Sequence, residues 1–143
     1  MKNYDEYQKF LRYKYGSESF IIVLFLTFIN FSVHLFSDRK WAENQSLEMM
    51  LLVFIAIIYS AVRMIYSGAY FKKKQNGPFI AITFALIGFC NLYLVFTSNF
   101  PIIENNILTY DVMKLVSSIF FLSLSLAYFV RTLVEKRLEK NDG

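Results

Sequence analysis

Four long apolar runs constrain what this chain can fold into more than any other feature of its sequence. The runs cover residues 19–36, 47–66, 79–98 and 112–130, and polar breaks separate them. Each run is long enough to span a membrane, because about 20 apolar residues cross a hydrocarbon layer of about 30 Å as a helix. Hydrophobic residues make up 56% of the chain, against about 45–50% in soluble domains. The runs predict an all-α polytopic membrane protein, a four-transmembrane-helix bundle in which residues 1–143 form a single membrane domain.

The segment before the first run is predicted to be a short amphipathic helix in the membrane interface. Within residues 1–18, Tyr4, Tyr7 and Leu11 share one helix face and the basic residues lie elsewhere, as in interfacial helices. Asn3 and Glu6 have the spacing of a capping box, and Gly16 is positioned to end the helix. A cleaved signal peptide is the competing interpretation of the first run. It is disfavoured because bulky residues follow the run where a cleavage site needs small ones.

The segment after the fourth run, residues 131–143, is predicted to continue the fourth helix out of the membrane as a cytoplasmic tail. It is rich in charged residues, and no glycine or proline interrupts it before its last residue. Leu133, Val134 and Leu138 are positioned to pack on the N-terminal helix or on a partner.

The distribution of Lys and Arg predicts the orientation of the chain. Of the 15 Lys and Arg residues, 12 lie before the first run, in the region 63–74 or after the fourth run. The opposite side carries Arg39, Lys40 and Lys114. By the positive-inside rule, the N-terminus and the C-terminus both lie in the cytoplasm of a multi-pass protein of the cell membrane. Because the net charge of +4 follows this topology, no nucleic-acid partner is predicted, and the lipid bilayer is the first partner.

Polar and ionisable residues inside the runs define a candidate site. Such residues are costly in lipid and mark either function or contacts between helices. One interpretation is an outward-facing polar pocket that responds to pH or binds a small cation or peptide. The other is that the ionisable groups reach water separately and that the amide side chains join helices. The candidate pocket residues are Asn30, His34, Glu48, Asn91 and Lys114.

Basic residues near the predicted cytoplasmic ends of the second and third runs are candidates for contacts with lipid head groups. Anionic lipids attract basic residues near the membrane surface, by about 1 kcal/mol for each residue. A plain role in setting topology explains the same residues. The candidates are Arg63, Lys72, Lys73 and Lys74.

Groups that carry catalysis are scarce in this sequence. It contains one His and one Cys, and it lacks the motifs of serine hydrolases, zinc metalloproteases and P-loop enzymes. No catalytic residue, metal ligand or cofactor is therefore predicted, and the chain is expected not to be an enzyme. An enzyme acting at the bilayer surface remains a less favoured hypothesis.

The leader "DEYQKFLRYKYG", which runs directly into the first apolar run, resembles those of uncharacterised small four-span integral membrane proteins of low-GC Gram-positive bacteria. The resemblance covers the layout of the whole chain and implies a bacterial membrane protein. Our first hypothesis is a non-enzymatic protein acting through helix–helix or peripheral contacts, as an accessory subunit, sensor or immunity-type factor. Its partner would be another membrane protein or a second copy. The alternative is a small transporter or channel with an outward-facing polar pocket.

Overall fold

The computed structural model describes residues 4–37, 40–72, 75–97 and 101–141. This part of the chain contains four helices: α1 (Glu6–Phe36), α2 (Gln45–Tyr66), α3 (Gly77–Thr97) and α4 (Val112–Asn141). Each is long and apolar enough to cross a membrane. The all-α fold with four membrane-spanning helices is therefore confirmed, and the predicted runs lie inside these helices or extend one residue beyond.

The helices lie in the spatial order α1, α2, α4, α3. α1 packs on α2, α2 packs on α4, and α4 packs on α3. The two middle helices contribute a larger buried share than the two flanking ones. The flanking helices direct large apolar side chains outward, such as Phe25 of α1 and Phe96 of α3, which are 63% and 80% exposed. Such surfaces suit lipid, in which apolar exposure carries no penalty.

The predicted break at Gly16 is wrong, because α1 runs through this residue as one helix of 31 residues. Glycine costs a helix interior about 1 kcal/mol but ends the helix only when the chain turns there. Nothing lies within 4 Å of the position that a Cβ of Gly16 would occupy, and Tyr15 beside it is buried. The short amphipathic helix is thus the first part of α1.

The predicted cap at Asn3 is also wrong, because Asp5 is the N-cap of α1. The Asp5 carboxylate accepts a hydrogen bond from the Gln8 backbone N–H at 2.7 Å, and the Gln8 side chain accepts one from the Asp5 backbone N–H at 3.3 Å. This reciprocal pair is a capping box shifted by two residues from the predicted one. Asn3 itself lies outside the described residues.

The C-terminal end of α2 closes in a Schellman motif. Gly68 has a φ of 76°, its N–H bonds to the Ile65 carbonyl, and the Ala69 N–H bonds to the Met64 carbonyl. The Arg131 side chain of α4 covers this turn so closely that a Cβ on Gly68 would lie 2.6 Å from its guanidinium. Glycine is needed here both for the backbone angle and for the space.

The first turns of α1 dock on this motif. The Gln8 amide donates to the Gly68 carbonyl at 2.8 Å, and the Arg12 guanidinium donates to the Ala69 carbonyl at 3.2 Å. Tyr15 is buried against Ala69 below them. The carbonyls at a helix C-terminus lack partners within the helix, so donors from α1 and α4 complete the end of α2.

The segment between α3 and α4 forms a two-stranded hairpin that the sequence did not predict. Strand β1 (Ile103–Glu104) pairs antiparallel with β2 (Ile107–Leu108). The turn residues Asn105 and Asn106 have φ values of 50° and 63°. Asparagine tolerates positive φ, and such two-residue turns match the twist of a hairpin.

This hairpin is tied to the loop between α1 and α2. The Leu108 N–H donates to the Trp41 carbonyl at 3.0 Å, and the Glu43 N–H donates to the Leu108 carbonyl at 2.8 Å. Beneath them, Ala42 and Leu47 are buried together with Val112 at the start of α4. The two predicted external loops therefore form one cap on the bundle.

Close packing between α3 and α4 depends on Gly88. A Cβ at this position would lie 2.7 Å from the Leu122 side chain, and the Gly88 carbonyl accepts a hydrogen bond from the buried Ser118 hydroxyl at 2.9 Å. Small residues allow helix backbones to approach in membranes, where packing and hydrogen bonds hold helices together.

We expect Gly88→Ala to lower the free energy of unfolding by about 1–3 kcal/mol, because the added methyl group overpacks the α3–α4 contact. Gly16→Ala is the matched control, since its methyl group enters open space on a helix. It should raise stability by about 0.5–1 kcal/mol. Circular dichroism during SDS unfolding of the protein in detergent micelles measures both changes. Equal effects of the two substitutions would contradict the packing described.

Candidate functional site

The candidate site is built around Glu48, whose side chain is held between α1 and α2 near the start of α2. Glu48 is 0% exposed although it carries an ionisable group. Asn44 caps α2, its side chain accepting a hydrogen bond from the Leu47 N–H at 2.9 Å. The cap places Glu48 in the first turns of α2, where the helix dipole favours a negative charge.

Asn30 and His34 of α1 reach Glu48 from the neighbouring helix. They are four residues apart and therefore lie on one face of α1. The Asn30 amide donates to the Glu48 carboxylate at 3.3 Å, and His34 Nε2 lies 2.5 Å from the same oxygen, Oε2. Asn30 is buried, whereas the His34 side chain is 29% exposed. The site is thus closed on the side of Asn30 and reaches the surface at His34.

Trp41 completes the site, and the sequence analysis did not include it. Its indole N–H donates to the Asn30 side-chain oxygen at 2.7 Å, and its backbone N–H donates to Glu48 Oε1 at 3.2 Å. Its carbonyl accepts the bond from the hairpin residue Leu108. A signal was present, since Trp41 is the single tryptophan of the chain and follows a membrane span.

The donors and acceptors of this network fit an ionised Glu48. The N–H groups of Asn30 and Trp41 both donate to its carboxylate, and His34 Nε2 fits as a third donor when it carries a proton. A carboxylate held by several donors is stabilised in its charged form even where water is excluded. The arrangement therefore joins α1, α2 and the loop between them through one buried charge.

The other two candidate pocket residues have different described partners. Lys114, in the first turn of α4, forms an ion pair with Asp111 at 2.5 Å. Asn91 lies on α3, at the far side of the row from α1, and donates to the Ile87 carbonyl of its own helix at 2.9 Å. The structure thus brings Asn30, His34 and Glu48 together, and none of the described bonds of Lys114 or Asn91 joins that group.

The candidate contacts with lipid head groups lie at the opposite end of the bundle. The Arg63 guanidinium lies 5.1 Å from the centre of the Tyr15 ring, and its side chain is exposed. Lys72 is exposed as well, and its backbone N–H donates to Gln75. Lys73 and Lys74 lie outside the described residues. Arg63 is therefore an exposed cation stacked on a tyrosine, and its contact with head groups stays a prediction.

Tyr70 is partly buried at this end of the bundle. Burial raises the pKa of its hydroxyl, and the nearby Arg12 guanidinium offsets part of this effect. The hydroxyl therefore stays neutral at physiological pH and packs with Phe71 and Phe84 as an aromatic side chain.

The described residues include no group of three or more His, Cys, Asp or Glu side chains that could hold a metal ion. The cysteine, Cys90, is exposed on α3. No family model, curated protein or solved structure matches the chain. The site's own geometry is therefore the basis for a functional proposal.

We expect Asn30→Leu to lower the free energy of unfolding by about 1–3 kcal/mol, because it leaves the Trp41 indole without its acceptor and removes a donor from Glu48. It should also change the fluorescence emission of Trp41, the single tryptophan. Asn91→Leu is the matched control and should change stability by at most about 0.5 kcal/mol, with unchanged emission. SDS unfolding with tryptophan detection measures both quantities. An Asn91→Leu effect as large as that of Asn30→Leu would refute the network's role.

Proposed function

We propose that this chain is a non-enzymatic, multi-pass protein of the bacterial cell membrane. It acts through helix–helix or peripheral contacts with another membrane protein or a second copy, as an accessory subunit, sensor or immunity-type factor. The observation that carries the proposal is that the buried ionisable group of the outer end, Glu48, is engaged in joining two helices and a loop. The group best suited to chemistry or transport thus has a structural use.

The flanking position of α1 gives further support. Its inner face contacts α2, and its outer face presents a continuous apolar surface to the bilayer. Helices that stand at the edge of a membrane bundle in this way are available for lateral contact with a neighbouring protein. The outward side chains in the membrane-spanning part of α1 are both aromatic and aliphatic, and the aromatic ones include Phe20, Phe25, Phe28 and Phe31.

A small transporter or channel is the second candidate, and His34 is the observation that favours it. The His34 imidazole is partly exposed and contacts a fully buried carboxylate. Such a pair can take up a proton from solution at the protein surface and hold it between the imidazole and the carboxylate. The contact function is preferred because Asn30 and Trp41 close the network toward the bundle interior.

The proposed orientation makes a testable prediction about the two ends of the bundle. In a Cys90→Ser background, a membrane-impermeant maleimide should label Glu104→Cys of the hairpin on intact cells. It should label Glu139→Cys of α4 only after the membrane is permeabilised, because the Lys and Arg bias retains that end in the cytoplasm. Labelling in the reverse order would contradict the orientation while leaving the fold unaffected.

The contact function predicts discrete crosslinks from at least one lipid-facing surface. A photoreactive phenylalanine analogue should be introduced at Phe25 of α1, Phe96 of α3 and Leu126 of α4, all of which are exposed. In native membranes, at least one position should give a single adduct heavier than the chain. Leu124, which is 1% exposed, is the control and should give no such adduct.

A chain that stays monomeric and forms no discrete adduct at any exposed position would contradict the contact function. Ion flux in proteoliposomes that falls on His34→Leu would instead support the transporter. Comparing His34→Leu with Asn91→Leu separates loss of the site from a general effect of removing a polar group in the membrane.

A further inference from the structure

The part of α4 that follows the membrane span carries an uncovered apolar strip. α4 has 30 residues and is about 45 Å long, against a hydrocarbon layer of about 30 Å, so its last turns leave the lipid. All residues from 133 to 140 are exposed. One face of these turns, which we call the tail strip, consists of Val130, Leu133, Val134, Arg137 and Leu138.

The tail strip has the spacing of a helix that binds another helix. Its members stand three, four, seven and eight residues after Val130 and so line one side of α4. Leu133 and Leu138 are 60% and 59% exposed. Val130, Leu133, Val134 and Arg137 line a shallow groove of about 160 Å³. Knobs of a partner helix fit depressions of this kind.

The first turns of α1 also extend beyond the hydrocarbon layer, but their apolar residues are covered by another part of the chain. α1 also exceeds the thickness of the hydrocarbon layer, and its Leu11 and Tyr15 are buried against the end of α2. The apolar residues of the α4 tail were predicted to pack on α1 in the same way or on a partner. Instead, Leu133, Val134 and Leu138 remain exposed beyond Arg131, the last α4 residue with a described bond to α2.

The charge in the strip selects the occupant. Arg137 lies among the apolar residues, and within the described residues its guanidinium has no hydrogen-bond or ion-pair partner. Two copies in one membrane would meet in parallel and would bring Arg137 against Arg137, which is repulsive. Lying flat on the lipid surface would need a bend, and α4 contains no glycine or proline that would provide one. A partner helix with an apolar face and a carboxylate matches both the apolar side chains of the strip and the charge of Arg137.

We propose that the tail strip is the docking surface for an acidic amphipathic helix of a cytoplasmic partner. The proposal rests on the contact function and the cytoplasmic orientation inferred above. The partner's leucine-like side chains occupy the groove, and one of its carboxylates pairs with Arg137. This contact recruits a soluble component to the membrane through the fourth helix.

The test uses the full chain in nanodiscs of zwitterionic lipid and two labelled helical peptides. One peptide has leucines at the same spacing as the strip and glutamates elsewhere, and the other has lysine in place of every glutamate. The glutamate peptide should bind and the lysine peptide should bind more weakly, as measured by fluorescence anisotropy. Arg137→Glu should weaken the glutamate peptide by about tenfold, because it turns an attraction into a repulsion.

Lys136→Glu is the matched control, since it makes the same change of charge one residue away, off the strip. It should weaken the glutamate peptide by less than about threefold, because solvent and salt screen the exposed charge. Arg137→Glu should also gain affinity for the lysine peptide. Leu133→Ser should weaken both peptides. An unchanged Trp41 emission and helical circular dichroism show that each variant is folded.

Three results would overturn the proposal. Equal binding of both peptides with no effect of Arg137→Glu would show unspecific apolar adsorption. A dimer in nanodiscs that Leu133→Ser dissociates would make a second copy the occupant. Protection of the tail by anionic lipid, without peptide binding, would make the membrane surface the occupant. If the peptides do not bind but the photo-crosslinks persist, docking at the tail strip is refuted and the contact function stands. If neither peptide binding nor crosslinks are seen, both proposals are refuted.

Discussion

The buried carboxylate of Glu48 is the constraint on which the hairpin end of this protein depends. A charge that is removed from water needs hydrogen-bond donors, and here the donors come from α1 and from the loop that follows it. The position of Glu48 at the start of α2 adds the favourable helix dipole. The same loop binds the hairpin through Trp41. One carboxylate thus fixes the relative positions of two helices and, through Trp41, connects them to the cap.

The opposite end of the bundle follows the same requirement with the polarity reversed. There the unsatisfied groups are backbone carbonyls at the C-terminus of α2, and the donors are the side chains of Gln8, Arg12 and Arg131. α1 therefore donates hydrogen bonds at both ends of α2. The acceptor is the Glu48 carboxylate at one end, and the acceptors are backbone carbonyls at the other. α1 stands at the edge of the row and has few buried residues along its middle, so these two polar contacts add to its packing on α2.

The residues that sequence reasoning missed are those whose role depends on distant partners. Glycine often ends a helix, but α1 continues through Gly16 because Tyr15 beside it packs on Ala69. Asp5 caps α1 because Gln8 returns its hydrogen bond. Trp41 has no local motif, since its three polar contacts involve Asn30, Glu48 and Leu108. The hairpin's asparagine pair was the one local signal that was present and was not used.

The sequence by itself determined the four membrane-spanning helices and the candidate polar residues, because hydropathy and helical length are local properties of the chain. It also predicted that α4 continues beyond the lipid. Only the tertiary structure decided which of those polar residues meet. His34 and Glu48 come together because α1 packs on α2, whereas Asn91 lies apart because α4 separates α3 from α2. Helix order in a bilayer is set by packing and by hydrogen bonds between helices, and a packing face on one helix does not tell which other helix it meets.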